Sequence, residues 1–226
     1  MNKYVVLSNK DWHYNLYDKL KYSFGDDEWI YINNEEDFNE QFLKEFQPKK
    51  IFIPHWSKII PNTIYENFEC ILFHMTDLPY GRGGSPLQNL IVRGHSSTKI
   101  SALKVSKGID EGPIYLKRDL SLQGTAKDIF LRSSDIIYEM IVCIINNSLI
   151  PQNQMGEPTL FKRRKPVQGD ISKLNDLSKI YDYIRMLDCD GYPNAYIEFD
   201  KIKIEFKNVK KKSNASLEAY VRIKKK

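Results

Sequence analysis

The sequence predicts an α/β protein, with a mostly parallel, Rossmann-type sheet followed by a small C-terminal antiparallel β appendage. Three observations carry this expectation. Short β-branched runs alternate with helix-period segments as far as residue 147, the pattern of βαβ units whose parallel sheet is covered on both faces. Past Leu149 the texture changes to turn-like, then basic, then alternating segments. A chain of 226 residues buries one good core with room for an appendage, but not two large domains.

Taken in order, residues 3–8 (KYVVLS) read as the first strand, residues 12–24 as a helix and residues 29–32 as a second strand. Asn33 and Asn34 are cap-forming types ahead of a helix over 35–46, where Phe38, Phe42, Leu43 and Phe46 recur at helical spacing. Residues 50–54 (KIFIP) give a strand, Pro61 opens a short helix, and residues 70–73 give a strand leading into His74. After a glycine-rich loop come a helix face at 87–92 and strands at 99–105 and 113–120. Gly124-Thr125 opens a long helix to about residue 147, striped by Ile129, Phe130, Ile136, Ile137, Met140, Ile141 and Ile144. Residues 161–166 (FKRRKP) are basic and end in proline, and residues 173–187 read as a helix. Residues 195–199 and 201–206 alternate around an Asp200-Lys201 turn, and 218–223 can pair with them. The division falls between residues 1–165 and 166–226.

Several function classes drop out. No apolar run approaches the roughly 20 residues of a membrane span. The opening apolar stretch is too short for a signal peptide and reads as a strand. Cys70, Cys143 and Cys189 are odd in number and lack Cys-x-x-Cys spacing. This argues against a disulfide framework or zinc site and for a reducing cytoplasm. The net charge of +5 is concentrated late, in Lys207, Lys210, Lys211, Lys212 and Lys224 to Lys226. It fits a solvated strand face, or attraction to a polyanion such as RNA or to a nucleotide diphosphate.

In a mostly parallel sheet, ligands bind outside the carboxyl ends of the strands. That directs attention to residues 8–11, 55–57, 74–85 and 106–112. The first strand has no Gly-x-Gly-x-x-Gly turn, and the Gly81-Arg82-Gly83-Gly84-Ser85-Pro86 cluster lacks the Gly-Lys-Ser/Thr of a P-loop. No nucleophile elbow, His-Glu-x-x-His helix or EF-hand loop is present. His74 alone reads as a hydrogen-bonded structural histidine, and Asp110 alone as a turn cap.

Together they carry more. Residues 70–114 resemble the core of the 10-formyltetrahydrofolate-dependent formyltransferases, a family that includes methionyl-tRNA, glycinamide-ribotide and amino-sugar enzymes. The resemblance rests on His74 after a strand, Leu78-Pro79 and Arg82-Gly83 in the loop, and Asp110-Glu111-Gly112-Pro113-Ile114, with Asp110 lying 36 positions after His74. It extends more loosely over the first 165 residues and implies a formyltransferase-like sheet, a catalytic domain over 1–165 and a helix-and-hairpin subdomain over 166–226.

The resemblance implies an N-formyltransferase with 10-formyltetrahydrofolate as donor and no metal. An acceptor amine attacks the formyl carbon, His74 donates to the developing oxyanion, and Asp110 orients His74 and helps move protons. Met75, Leu78, Pro79, Arg82, Gly83, Val105 and Gly108 line the pterin pocket, largely through backbone groups. The family's asparagine, two residues before the histidine, is replaced here by Leu72. Loss of one oxyanion donor costs about 10²–10³ in rate, so a substitute is required. His55 is the candidate, with Ser57, a backbone N–H, or a purely structural His55 as alternatives.

For the acceptor, the wording from His74 to Pro86 resembles enzymes acting on nucleotide-linked amino-sugars, and also the formylation domains of peptide synthetases; of these the first is favoured. It implies a UDP-4-amino-deoxysugar of the pseudaminic acid type, destined for surface glycans. Arg163, Arg164 and Tyr192 would then touch the sugar nucleotide, or alternatively pack and face solvent. About 60 residues follow Pro166, fewer than the RNA-gripping barrel of the methionyl-tRNA enzymes needs. The expected partners are therefore folate and a sugar nucleotide, with no membrane, no nucleic acid, and a homodimer paired through the appendage's edge. Two rivals stay open: a tRNA formyltransferase with a reduced tail, and a non-catalytic folate- or RNA-binding module.

Overall fold

In the computed structural model, which describes residues 1–226, the chain begins β1 (Lys3–Ser8), α1 (Tyr14–Ser23), β2 (Glu28–Ile32), α2 (Glu40–Phe46), β3 (Lys50–His55), α3 (Asn62–Tyr65) and β4 (Cys70–His74). It continues with β5 (Arg82–Gly83), α4 (Pro86–Val92), β6 (Ser97–Lys104), β7 (Ile114–Ser121), α5 (Ala126–Asn147) and β8 (Leu160–Phe161). The remaining elements are α6 (Leu177–Arg185), β9 (Ala195–Phe199), β10 (Ile202–Ser213) and β11 (Ser216–Lys225). The chain packs as two compact units: Met1–Gly83, Thr98–Leu120 and Leu131–Leu160 make one, and Gly84–Ser97, Ser121–Phe130 and Phe161–Lys226 make the other.

The first unit is built on a six-stranded sheet of order β2-β1-β3-β4-β6-β7. β2, β1, β3 and β4 run parallel, and β6 runs antiparallel to β4, from Ile71 opposite Lys104 to His74 opposite Ser101. Mostly parallel is therefore the right description. The four parallel strands read as near-continuous apolar runs because side chains on both faces are buried. Val5, Leu7, Ile51, Ile53 and Cys70 join Leu43 and Phe46 of α2 in one core. Because this packing fixes the strands, it fixes where their carboxyl ends point.

Helix α2 starts later than the apolar periodicity predicts. Asn39, not Asn33 or Asn34, is the cap, its side chain accepting the Phe42 N–H at 2.9 Å. Asn34 instead accepts the Asp37 N–H at 2.8 Å. That local turn takes up residues 34–37 and leaves Phe38 buried just ahead of the cap.

The second unit contains α4, α6 and a three-stranded antiparallel sheet, β11-β10-β9, the predicted appendage. In register, Ile204 lies between Ile197 and Ile223, and Phe206 between Ala195 and Val221. Arg185 is buried here. It donates to the carbonyls of Leu122 at 2.6 Å and Gly124 at 3.0 Å, and pairs with Asp182 at 2.7 Å. These bonds satisfy a charge that would otherwise be costly to bury. No helix of the protein is long and apolar enough to cross a membrane.

Candidate active site

His74 closes β4 and is 7% exposed. Its Nε2 lies 2.8 Å from the Gly81 carbonyl. A carbonyl can only accept, so Nε2 carries the proton. The other ring nitrogen, Nδ1, faces Asp110 Oδ2 at 3.6 Å, a separation longer than a hydrogen bond. One edge of the imidazole is thus occupied by the loop, and the other faces a carboxylate.

Asp110 is placed by its loop. Its φ of +53° is left-handed, unusual for a residue with a side chain. Oδ2 accepts the Gly83 N–H at 2.8 Å, so the carboxylate is held by the same short segment that supplies Gly81 to His74. Gly112, two residues on, has no room for a side chain: a Cβ there would lie 1.7 Å from the Lys104 carbonyl oxygen. The structure therefore brings His74, Asp110, Arg82 and Gly83 together in the first unit.

The other predicted donor-side residues also lie in the first unit. Met75 and Leu78 are buried, and Leu78 N–H donates to Ser101 Oγ at 3.3 Å. The Leu78-Pro79 peptide is cis, and the Pro79 carbonyl accepts the Thr159 N–H at 3.2 Å. Arg82 donates to Gln154 Oε1 at 3.2 and 2.9 Å and pairs with Glu111 at 3.3 Å. Val105 and Leu72 pack on the hydrophobic core, and Gly108 lies beside the Glu111 side chain.

His55 ends β3, two residues beyond Ile53, which pairs with Leu72; His74 is likewise two residues beyond Leu72. The two histidines thus stand at equivalent ends of neighbouring strands. The His55 ring meets Trp12 edge-on at 5.9 Å and His13 at 6.3 Å. His13, which the sequence reading passed over, is buried and bonds Ser134 Oγ at 3.0 Å. Burial first, then repulsion from His55, lowers its pKa to about 3. Only its position after the first strand could have drawn attention to it.

The predicted acceptor residues lie in the second unit. Arg163 presses its Cα and Cβ against Gly84, where an added Cβ would sit 2.7 Å from the Arg163 Cβ. The Arg164 N–H donates to Ser85 Oγ at 3.0 Å, and its guanidinium lies 5.3 Å from the Tyr183 ring centre. Tyr192 stacks on Phe130 at 5.4 Å, and burial pushes its phenol pKa well up. No group of three or more His, Cys, Asp or Glu side chains could hold a metal ion.

Comparison with known proteins adds direct relationships. A family model described as formyl transferase matches residues 22–129, and one described as methionyl-tRNA formyltransferase, C-terminal domain, matches 166–224. A solved structure described as methionyl-tRNA formyltransferase from Clostridium thermocellum is 47% identical, with 100% of both chains covered and a TM-score of 0.97. The methionyl-tRNA formyltransferase of Thermodesulfovibrio yellowstonii is 27% identical over 172 residues, 72% of this chain and 55% of that protein. The chain spans little more than half the length of the curated relatives it matches. A sugar N-formyltransferase from Shewanella shares the fold, with a TM-score of 0.66 at 15% identity, covering 87% of this chain and 92% of that one.

These matches overturn the expectation of a UDP-amino-sugar acceptor, with its pseudaminic-acid and surface-glycan setting, and the expectation of no nucleic-acid partner. The wording from His74 to Pro86 does not identify the acceptor. The segment read as too short to grip RNA is the one matched over 166–224 by the methionyl-tRNA formyltransferase C-terminal model.

Proposed function

The chain belongs to the formyltransferase family, and from that premise we propose that it transfers a formyl group from 10-formyltetrahydrofolate to the amine of methionyl-tRNA. The observation that carries this reading is the 47% identity over the full length of both chains to a protein described as a methionyl-tRNA formyltransferase. The geometry of His74 and Asp110 supports this reading. The β4 terminus and the 81–83 loop hold His74 with one ring nitrogen engaged and the other beside Asp110. The attacking amine must lose a proton as the tetrahedral centre forms. The Asp110 carboxylate, fixed by Gly83, is the group to receive it and to pass it to the folate nitrogen as that nitrogen's bond to the formyl carbon breaks. The Nε2–H of His74, which otherwise donates to the Gly81 carbonyl, is the donor to the formyl oxygen.

Residues 1–165 carry the chemistry in this reading, and 166–226 supply acceptor contacts. The hairpin of β10 and β11 presents Lys207, Lys210 and Lys225 in addition to Lys212, Lys224 and Lys226, which pair with Glu218, Glu205 and Glu198. Unneutralised lysines on an exposed sheet suit a phosphate backbone. The acceptor and the three free cysteines both suit the cytoplasm. His55 remains the proposed partner of His74 in the absence of the family's asparagine.

The test incubates the full chain with 10-formyltetrahydrofolate and methionyl-tRNA, with uncharged tRNA and a UDP-4-amino-sugar in parallel. Formylmethionine recovered after base hydrolysis, and no product from the other two, is the expected result. Absence of formylmethionine at any enzyme concentration would overturn the proposal.

A further inference from the structure

Residues 106–112 contain no regular secondary structure, yet they must hold Asp110 in a left-handed conformation next to His74. Gly83 restrains the carboxylate of Asp110, which leaves open what restrains its backbone. One side chain does so. Gln154, in the connection that follows α5, donates through Nε2 to the carbonyls of Asp110 at 2.7 Å and Gly112 at 2.9 Å. Its Oε1 accepts from Arg82 Nε at 3.2 Å and Nη2 at 2.9 Å.

The orientation of this amide is not arbitrary. Guanidinium groups only donate and carbonyls only accept, so a flipped amide would oppose like groups on both sides. Arg82 directly precedes Gly83, whose N–H binds the Asp110 carboxylate. Gln154 therefore ties together the two segments that meet at the site, 82–83 and 110–112. It is half-buried, so water can satisfy the same groups if it is removed. Its loss would leave the fold intact and the Asp110 loop loose.

We propose that Gln154 is the positioning residue of this site: it clamps the Asp110–Gly112 backbone to Arg82 and so keeps Asp110 within reach of His74. The role rests on the reading of Asp110 as the proton-accepting group. A displacement of about 1 Å at a reacting group can cost about 10²-fold in rate, so a clamp can control turnover without touching substrate.

Gln154→Ala removes the clamp, and Gln154→Glu keeps the acceptor for Arg82 while losing both donors to the loop. In each, kcat for formyl transfer should fall by about 10²-fold, with KM for donor and acceptor little changed. In an Asp110→Ala background the further loss from Gln154→Ala should be small, because a residue acting only through Asp110 has nothing left to position. A near-wild-type kcat in both variants, or an equal cost in both backgrounds, would overturn the inference. Should Gln154→Ala not fold, Gln154→Glu decides. Hydrogen exchange at the Gly83 amide reads the same clamp without turnover. Its protection should drop in Gln154→Ala while that of buried β4 amides holds, and unchanged protection would overturn the inference whatever the acceptor. An inactive wild-type protein would count against the function proposed above and leave this exchange measurement to decide the clamp.

Discussion

Replacing Gly112 with alanine puts a methyl group where the Lys104 carbonyl oxygen already sits. The ideal Cβ position is 1.7 Å from that oxygen, and real Cβ contacts essentially never fall below 3.0 Å, so backbone must move by about 1.3 Å. Neither neighbour yields easily. Lys104 is the last residue of β6, and its N–H donates to the Pro113 carbonyl at 2.9 Å. Movement on the other side goes into the loop, where Asp110 is two residues away. Overpacking of this kind costs about 1–3 kcal/mol, which for a chain of this size lowers Tm by about 2–4 °C per kcal/mol. A shift of that length at Asp110 lowers kcat by about 10²-fold. The assay is steady-state formyl transfer with thermal unfolding measured in parallel. Gly25→Ala is the control, because its nearest neighbour to an added Cβ is 4.0 Å away. A Gly112→Ala protein with kcat within threefold of wild type would show that the loop's placement does not govern the chemistry.

Three further outcomes follow from other parts of the molecule. His74→Asn and Asp110→Asn should each leave a folded chain with formyl transfer reduced by about 10²–10³, and near-normal turnover in either would remove them from the mechanism. His13, with its pKa lowered to about 3, stays neutral when folded but takes a proton when unfolded below pH 6.5. Stability therefore falls as pH drops through that window, by about 2 kcal/mol at pH 5. Denaturation curves of His13→Gln should lack that part of the pH dependence, and an unchanged profile would contradict the burial argument. Arg185→Ala should destabilise the chain by about 3–5 kcal/mol, because it strands Asp182 and the carbonyls of Leu122 and Gly124. Equilibrium unfolding with a loss below about 1 kcal/mol would mean that water replaces the guanidinium at little cost.

How much of this was legible depends on the range of the interactions. The strands were readable because their apolar runs are the direct result of burial on both faces, and β1, β3 and β4 sit where those runs predict. The start of α2 was not, because three asparagines compete for the cap. The choice of Asn39 follows from the turn that Asn34 makes with Asp37, a comparison of local energies that composition does not reveal. The length of β10, which runs to Ser213, was underestimated because its lysine-rich end breaks the apolar alternation, although its ladder with β11 continues.

The site divides along the same line. His74 and Asp110 could be singled out from motifs, since the roles proposed for them need particular side chains at particular places along the chain. The groups that place them could not: the Gly81 carbonyl and the Gly83 N–H are backbone, and Gln154 lies 44 residues from Asp110. Nothing in a glutamine after a helix announces that its amide will join two loops. The acceptor was misread for a related reason. Formyl transfer to a sugar or to an aminoacyl-tRNA needs the same donor chemistry, so residues close to His74 carry little information about which amine arrives. A long acceptor must be held at a distance from the reacting atoms, and the residues that do this are constrained by charge and shape and not by reaction geometry. In the function proposed above, the exposed lysines of β10 and β11 are residues of that kind. Lys210→Ala and Lys225→Ala should therefore raise KM for methionyl-tRNA and leave KM for the folate donor unchanged. Each should also lower the salt dependence of tRNA binding by about one unit of slope for the phosphate it no longer neutralises. A change in the folate KM, or no change in either, would place the RNA-binding residues elsewhere in the chain.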